Sequence, residues 1–507
     1  MRNISARRAV GLACRPVVIL ACLHASLACH ANLIDAGLLR IMSGQASRIW
    51  CGSTRKRHVA AFRSFVAVGT LSGMTATHDL LAFAAAPRAL PVAVRRAALM
   101  LLDDTLACGV AGSTAPGADG VLAAARGWGA GGDVPVLGRA ERLPAAAAAF
   151  VNGFQIHCLE WDAVHEPAVV HAMSVVTAAV HAAAHARGAD PEAALAALVT
   201  GVEIACILGI AAETPLTFFR PATAGLIGAA LAVARLAGLP SDRFGDVLGL
   251  AHAQCAGTMQ AHVEGSIALP LQVAVAARAA ITVVDLVAAG LSGPQDALMG
   301  PFGYFPLFDG GDPTAMVATL GTVWRITEIS IKPWPSGRAS HATLAALEGS
   351  ATLAALDGQG RDLVAITALV PPLIARLVGR PWQTAMTPAY ARLCLPFLAA
   401  LMLRDGRIDP RCFTPQAFGD PELQALGARL TIAVDGNPDP NALGPQCFVL
   451  THADGRQQEI TTAATFGSPA NPLLPAWHAG KLAFARSLAA VPVPPGDPLV
   501  LLCGGGH

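Results

Sequence analysis

Seven apolar segments follow one another between residues 91 and 300, each helix-length and each ended by Gly, Pro or Asp. They are Pro91–Cys108, Ala145–Leu159, Met173–Arg187, Pro191–Ala212, Thr223–Ala237, Ser241–Ala256 and Leu269–Ala289. Most are apolar on nearly every face. A lone helix in water cannot be, so they must pack inside a large bundle. The stretch shows no period-two alternation and no fixed-period repeat, so no sheet is expected there. Composition agrees: 54% of residues are hydrophobic and 14% charged. So little charge leaves little solvated surface, which asks for a large core, a large subunit interface, or both. A length of 507 residues predicts two or three domains.

The pattern changes near Thr327. Glu328-Ile-Ser-Ile-Lys-Pro-Trp-Pro reads as a short strand ended by prolines. Ser340–Ala355 and Tyr390–Leu403 read as helices, and Leu363–Val370, Leu430–Val434 and Cys447–Thr451 as strands. Asp454-Gly455 is a hairpin-type turn. A last helix, Ala476–Leu488, restores the helical character. The predicted fold class is therefore mainly α, a large all-helical domain with an inserted smaller α+β domain. The helical domain takes residues 74–327 and 463–490, the α+β domain 328–462, and a flexible, Gly-rich tail 491–507.

Residues 1–73 form an atypical extension. Arg2, Arg7 and Arg8 precede an apolar stretch, Pro16 to Ala28, in the manner of a signal peptide, but Arg15 spoils its junction. The preferred reading is an overlong start, with the protein proper beginning near Met74 and Thr75 capping a helix over Asp79–Ala85. Twelve cysteines occur and none forms a C-x-x-C pair. Scattered thiols suit a reducing compartment, so a cytoplasmic location is expected and zinc ribbons are not. A net charge of +1 gives no field to attract nucleic acid or anionic membranes, so an anionic ligand must be held by local groups. No segment reads convincingly as a membrane span. Pro167–Ala186 has no formal charge, but His171, His181 and His185 interrupt it and Ala dominates.

Asn152, His157, Glu160, Asp162, His165, Glu166 and His171 crowd one apolar neighbourhood. A carboxylate beside a histidine is what general acid–base chemistry requires, and a capped helix end would use the same residues. His181 and His185 share a helix face, but no third ligand is evident, so a partly exposed pair is expected rather than a metal site. Arg220, at the start of a small-residue helix, suits a carboxylate. Lysine occurs only at 56, 332 and 481, which gives Lys332 weight. It opens Lys332-Pro-Trp-Pro-Ser336-Gly-Arg338-Ala-Ser-His341, a rigid loop whose converging cations suit an anion. The alternative is a proline-rich connector. His252, Gln254, His262 and Glu264 form a looser group, lining a pocket or filling helix joints.

These stretches fall in an order that resembles the MmgE/PrpD family. Phe150-Val-Asn-Gly-Phe-Gln-Ile-His-Cys-Leu-Glu-Trp-Asp162 resembles F-x-N-G-x-x-x-H-x-L-D-F-D, and His171-Ala-Met-Ser-Val-Val resembles H-P-S-x-V. Arg220-Pro-Ala-Thr is similar to H-P-T-x-T, Gly300-Pro-Phe-Gly-Tyr-Phe to G-x-x-G-F/Y-F, and Lys332 through His341 to K-x-Y-P-x-C-R-x-T-H. The resemblance covers about residues 75–490. It implies a helical domain with a smaller lid, a homodimer, and no metal or organic cofactor. The known activities are dehydration or decarboxylation of small polycarboxylic acids, with an iminodisuccinate epimerase also similar. By resemblance Asp162, His171 and Lys332 occupy catalytic positions. Departures are Ala172 for Pro, Arg220 for His, Leu269 for Lys, Gln272 for His and Phe397 for Tyr. The expectation is a lyase on a small di- or tricarboxylic acid, working through an enolate-like carbanion. Lys332, Arg338 and Arg220 hold its oxygens, Asp162 orients His171 as base, and His341 or His262 is the acid. Gln272 and Ser336 complete the substrate-binding set. An epimerase and a non-catalytic carboxylate binder are the alternatives.

Overall fold

The computed structural model describes residues 75–348 and 363–504. The expectations for residues 1–74, for a helix beyond Glu348 and for residues 505–507 lie outside them.

The apolar segments form helices α1 (75–85), α2 (Val92–Gly112), α3 (Ala145–His157), α4 (Ala172–Arg187), α5 (Pro191–Ile210), α6 (Arg220–Leu236), α7 (Phe244–His252) and α8 (Ala268–Ala288). Their ends follow local chemistry. Asp190 accepts from the Ala193 N–H at 2.9 Å and Pro191 begins α5, while Gly188 closes α4 at φ +59. Helices α3, α4, α6 and α8 pack on one another, with α5 against α6 and α2 against α3. Every side chain of α4 from Ala172 to Ala184 is buried, His181 included, so of the expected partly exposed pair only His185 is partly exposed and His181 is a correction. Burial pushes His181 down to about 3. Among the described residues, two helices are long and apolar enough to cross a membrane, α5 and α8; their most apolar stretches are 89% and 56% buried inside the protein.

Small residues let α5 and α6 meet closely. A methyl group on Gly228 would lie 2.2 Å from the Gly201 carbonyl oxygen, a distance only a backbone shift relieves. Gly228→Ala gains helix propensity of about 1 kcal/mol but must push two buried helices apart, at about 1–3 kcal/mol. A lower urea midpoint is expected by circular dichroism; a raised one would mean propensity had won.

Several expectations need correcting. The segment 241–256 is broken into a 3₁₀ turn, Ser241–Arg243, and the shorter α7. Short helices Ala118–Arg126 and Gln260–Glu264, and a two-residue antiparallel pairing of Val134–Pro135 with Arg142–Leu143, interrupt the connections. The expected strand at 328–335 is a single bridge, Ser330 to Val164, because Pro333 and Pro335 cannot donate to a ladder.

Beyond it, helix α9 (His341–Glu348) leads towards a four-stranded sheet of β1 (Leu363–Val370), β2 (Leu430–Val434), β3 (Gln446–His452) and β4 (Gln457–Thr462). The spatial order is β2-β1-β3-β4, with β1 and β2 parallel and the other pairs antiparallel. Gly455, at φ +84, turns the β3–β4 hairpin. Alternate residues of β3 (Gln446, Phe448, Leu450, His452) face inward, where α9 packs. Between β1 and β2 run α10 (Pro372–Val378) and α11 (Leu395–Asp405). Residues 390–403 are not one helix, since Pro396 lacks an N–H and starts α11 afresh after a short turn, Pro388–Ala391. Helix α12 (Pro475–Ser487) then packs on α2. The flexible tail is also a correction. Asp497 caps a helix, α13 (Pro498–Cys503), whose Leu499, Leu502 and Cys503 bury against α4 and α5.

Candidate functional site

Where the helical part meets residues 337–339, 377–378, Leu393 and Leu443, a pocket encloses about 620 Å³, solvent at its mouth included. Its wall is mainly apolar, with Val164, Val169, Leu216, Phe219, Met259 and Leu269 prominent. The polar groups on it are Glu160, His171, Arg220, His262 and Arg338. Two lining residues, Glu160 and Val169, hold left-handed backbone angles, φ +53 and +51. Such angles cost about 1–3 kcal/mol each and persist only where surrounding structure imposes them. For a β-branched Val the strain is greater still.

The turn between α3 and α4 carries the acid–base groups. Asp162 is fully buried, and its Oδ2 accepts from His157 Nδ1 at 2.8 Å, His171 Nδ1 at 3.0 Å and the Ser174 hydroxyl. Burial opposes its charge, but the two imidazoles outweigh it and hold the carboxyl well below its usual range. The histidines diverge. Burial works against the charged form of both, yet Asp162 and Glu160 raise His157, whereas burial with Lys332 nearby leaves His171 lowered. His171 is thus the neutral partner. Its Nδ1 is engaged by Asp162, so Nε2 is the nitrogen left for the pocket.

The three cations expected to meet a substrate are each already paired. Lys332 is fully buried and donates to the Glu160 carbonyl at 3.0 Å and to Glu160 Oε2 at 3.1 Å, with Asp162 Oδ1 4.0 Å away. Burial opposes the Glu160 charge, but Lys332 and the histidines pull its pKa down. Glu160 lines the pocket and Lys332 does not, so Lys332 reaches the pocket only through Glu160. Arg220 binds Asp309 at 2.8 Å and the carbonyls of Ala168 and Thr214 at 3.3 and 3.1 Å. Tyr304 donates to the other Asp309 oxygen at 2.7 Å. Arg338 binds Glu166 Oε1 through Nε and Nη2 at 3.0 and 2.8 Å, and the Phe466 carbonyl at 2.6 Å. None of the three stands free of a resident counter-charge or carbonyl, although Arg220 and Arg338 line the pocket. Burial in an apolar wall demands a resident counter-charge for each.

Of the nine residues singled out, six gather here: Asp162 and Lys332 beneath the wall, His171, Arg220, Arg338 and His262 on it. Ser336 and His341 lie behind it. His341 is fully buried, its Nε2 3.1 Å from Ser336 Oγ and its Nδ1 3.3 Å from Arg338 Nη1. Burial, then Arg338 and Lys332, push its pKa far down, so it is a neutral imidazole behind the wall. Burial and Arg380 likewise push His262 down to about 4. Gln272 is set apart, in a separate groove with Gln254, Gly257 and Leu271. Three residues after Leu269 on α8, it is turned about 60° away from the pocket side. Phe397 packs among Trp382, Phe413 and Phe418 and is not on the wall.

Sequence reasoning placed Glu160 in the cluster but not as the partner of Lys332, and it missed Asp309, Ser174, Arg376 and Arg380. For Asp309 and the two arginines the only sequence signal was a charge within an apolar run, and Ser174 carried none. Among the described residues, His157, Asp162 and His171 hold metal-ligand atoms within 4.8 Å of one another. A cation there would compete with the hydrogen bonds that bind the three together.

A model of the MmgE/PrpD N-terminal domain matches residues 79–316, and one of the MmgE/PrpD C-terminal domain matches residues 334–481. The cis-aconitate decarboxylase-like protein oryM of Aspergillus oryzae is 27% identical over 406 residues, 75% of this chain and 84% of its own. Cis-aconitate decarboxylase of Homo sapiens is 26% identical over 311 residues, 57% of this chain and 62% of its own. That of Aspergillus terreus is 28% identical over 299 residues, 55% and 60% respectively. The chain thus spans about three-fifths of the length of these last two. Family and relatives together support a lyase-type function in general.

Proposed function

Since the chain belongs to the MmgE/PrpD family, we propose that its pocket is the active site of a cofactor-independent lyase for a small di- or tricarboxylic acid. The observation that carries this reading is the Asp162–His171 pair, 3.0 Å apart, which presents a neutral imidazole to an otherwise largely apolar pocket.

In dehydration, His171 Nε2 takes the proton from the carbon next to a carboxylate, and the C–H electron pair delocalises onto the carboxylate oxygens. The neighbouring carbon–oxygen bond then breaks and hydroxide leaves. Asp162 keeps Nδ1 protonated and stabilises the imidazolium as it forms. In decarboxylation the carbon–carbon bond breaks instead and carbon dioxide leaves; the carbanion then takes a proton that His171 Nε2 has first gained from solvent. Arg220 and Arg338 keep their resident carboxylates and offer positive potential to the same enolate-like charge. Lys332 acts at one remove, by holding Glu160. The proposal extends to a cytoplasmic homodimer, supported by the low charge content and by eight free cysteines among the described residues.

A second imidazole on the wall, His262, supports epimerisation as the other reading, with one proton-transfer group on each side of the same carbanion. Product analysis by NMR in deuterated water, over citrate-like and aspartate-like acids, separates them. A lyase gives an unsaturated or shortened acid, whereas an epimerase gives the starting acid with deuterium at one carbon. Neither product from any acid in the panel would remove the catalytic proposal.

A further inference from the structure

Two arginines near the pocket differ from the paired cations. Arg376 lies in α10 and Arg380 two residues beyond it, and neither has a carboxylate ion-pair partner among the described residues. Arg380 Nη2 donates to the His262 carbonyl at 2.7 Å and lies 3.4 Å from His262 Nδ1, while its Nη1 is buried and bonded to no described group. Arg376 donates to the Leu216 carbonyl. Neither arginine is on the pocket wall itself, but the groups they bond, Leu216 and His262, both line it, as do Leu377 and Val378 between the two. Arg376 is also close enough to Arg220 to feel its charge. Like charges gathered in a partly desolvated corner are unfavourable until an anion joins them, and a guanidinium fork matches a carboxylate well.

We propose that Arg376, Arg380 and His262 form an anion subsite on this side of the pocket, taking a carboxylate other than the one beside the reacting carbon. The substrate is then at least a dicarboxylate whose far end is read by residues 376–380. This rests on the pocket being a carboxylic-acid site.

Isothermal titration of the full chain with maleate and with its monoamide, maleamate, tests it. The wild type is expected to prefer maleate by about tenfold or more, the effect of charge-assisted hydrogen bonds. Arg376→Gln and Arg380→Gln should each weaken maleate about tenfold and leave maleamate within about twofold, whereas Arg380→Lys keeps part of the preference. Arg376 is exposed, so its variant reports binding even where Arg380→Gln lowers the ligand-free melting temperature. Wild-type preference retained in both Gln variants overturns the subsite and leaves the lyase reading standing. A wild type that binds neither acid overturns the subsite, and the lyase reading falls only if the product analysis over the full panel also finds nothing.

Discussion

His171→Ala lowers kcat by about a thousandfold on whichever acid the wild type turns over, the scale of losing a positioned proton-transfer group. The side chain is 14% exposed and its ring is one of several on a large wall, so the fold is expected to survive and the loss to be chemical. The pH profile distinguishes the role. The His171 pKa is lowered from 6.5 by burial and by Lys332, so the free base dominates at neutral pH. A base mechanism is then flat through neutrality and loses rate as the pH falls through that lowered pKa. A mechanism that begins with protonated His171 does the opposite, gaining rate on acidification. Asp162→Asn should reduce kcat comparably with little change in KM, because the amide cannot stabilise the imidazolium. Full activity in His171→Ala, measured by product NMR, would dismiss the assignment.

Lys481→Met destabilises the chain by about 3–5 kcal/mol, the usual result of removing one partner of a buried ion pair. Lys481 comes from α12 and reaches Asp104 of α2, 2.7 Å to one carboxylate oxygen and 2.9 Å to the other. The same ammonium donates to the Trp161 carbonyl at 3.2 Å, and the Trp161 indole donates to the Pro333 carbonyl at 3.0 Å. His478 adds a contact to Asp104 at 3.1 Å. Removing Lys481 leaves a buried carboxylate held only by that imidazole and by the Cys108 thiol, 4.0 Å away, and takes one of the hydrogen bonds from the residue between Glu160 and Asp162. Urea midpoints by circular dichroism check the first effect. The double variant Asp104→Leu/Lys481→Met should recover much of the stability, since it removes the stranded charge, but not the full activity, since the Trp161 carbonyl has still lost the ammonium. A single variant as stable as wild type would mean that water or backbone groups satisfy Asp104.

The helical bundle was legible because its signals are short-range. Apolar runs ended by Gly188, capped by Asp190 or opened by Pro191 are settled within a few residues, and strands β1 to β3 stand within a residue of their expected bounds. Misreadings fell where prolines or tertiary contacts override local pattern. Pro396 split one helix, Pro333 and Pro335 unmade a strand, and burial of Leu499 and Leu502 made a helix from a Gly-rich tail.

The candidate site was legible in part. The family motifs carried Asp162, His171, Lys332, Arg220 and Arg338 to one place, and that much belongs to the sequence alone: which polar residues are embedded among apolar ones, and the order in which they come. What each then does was decided by the tertiary structure. Lys332 is spent on Glu160, 172 positions away, and Arg220 on Asp309, 89 positions away. Gln272 faces a different groove. Helix and turn signals act between neighbours, whereas a charge in a low-dielectric interior is governed by whichever opposite charge folding brings within about 4 Å. No spacing along the chain carries that distance.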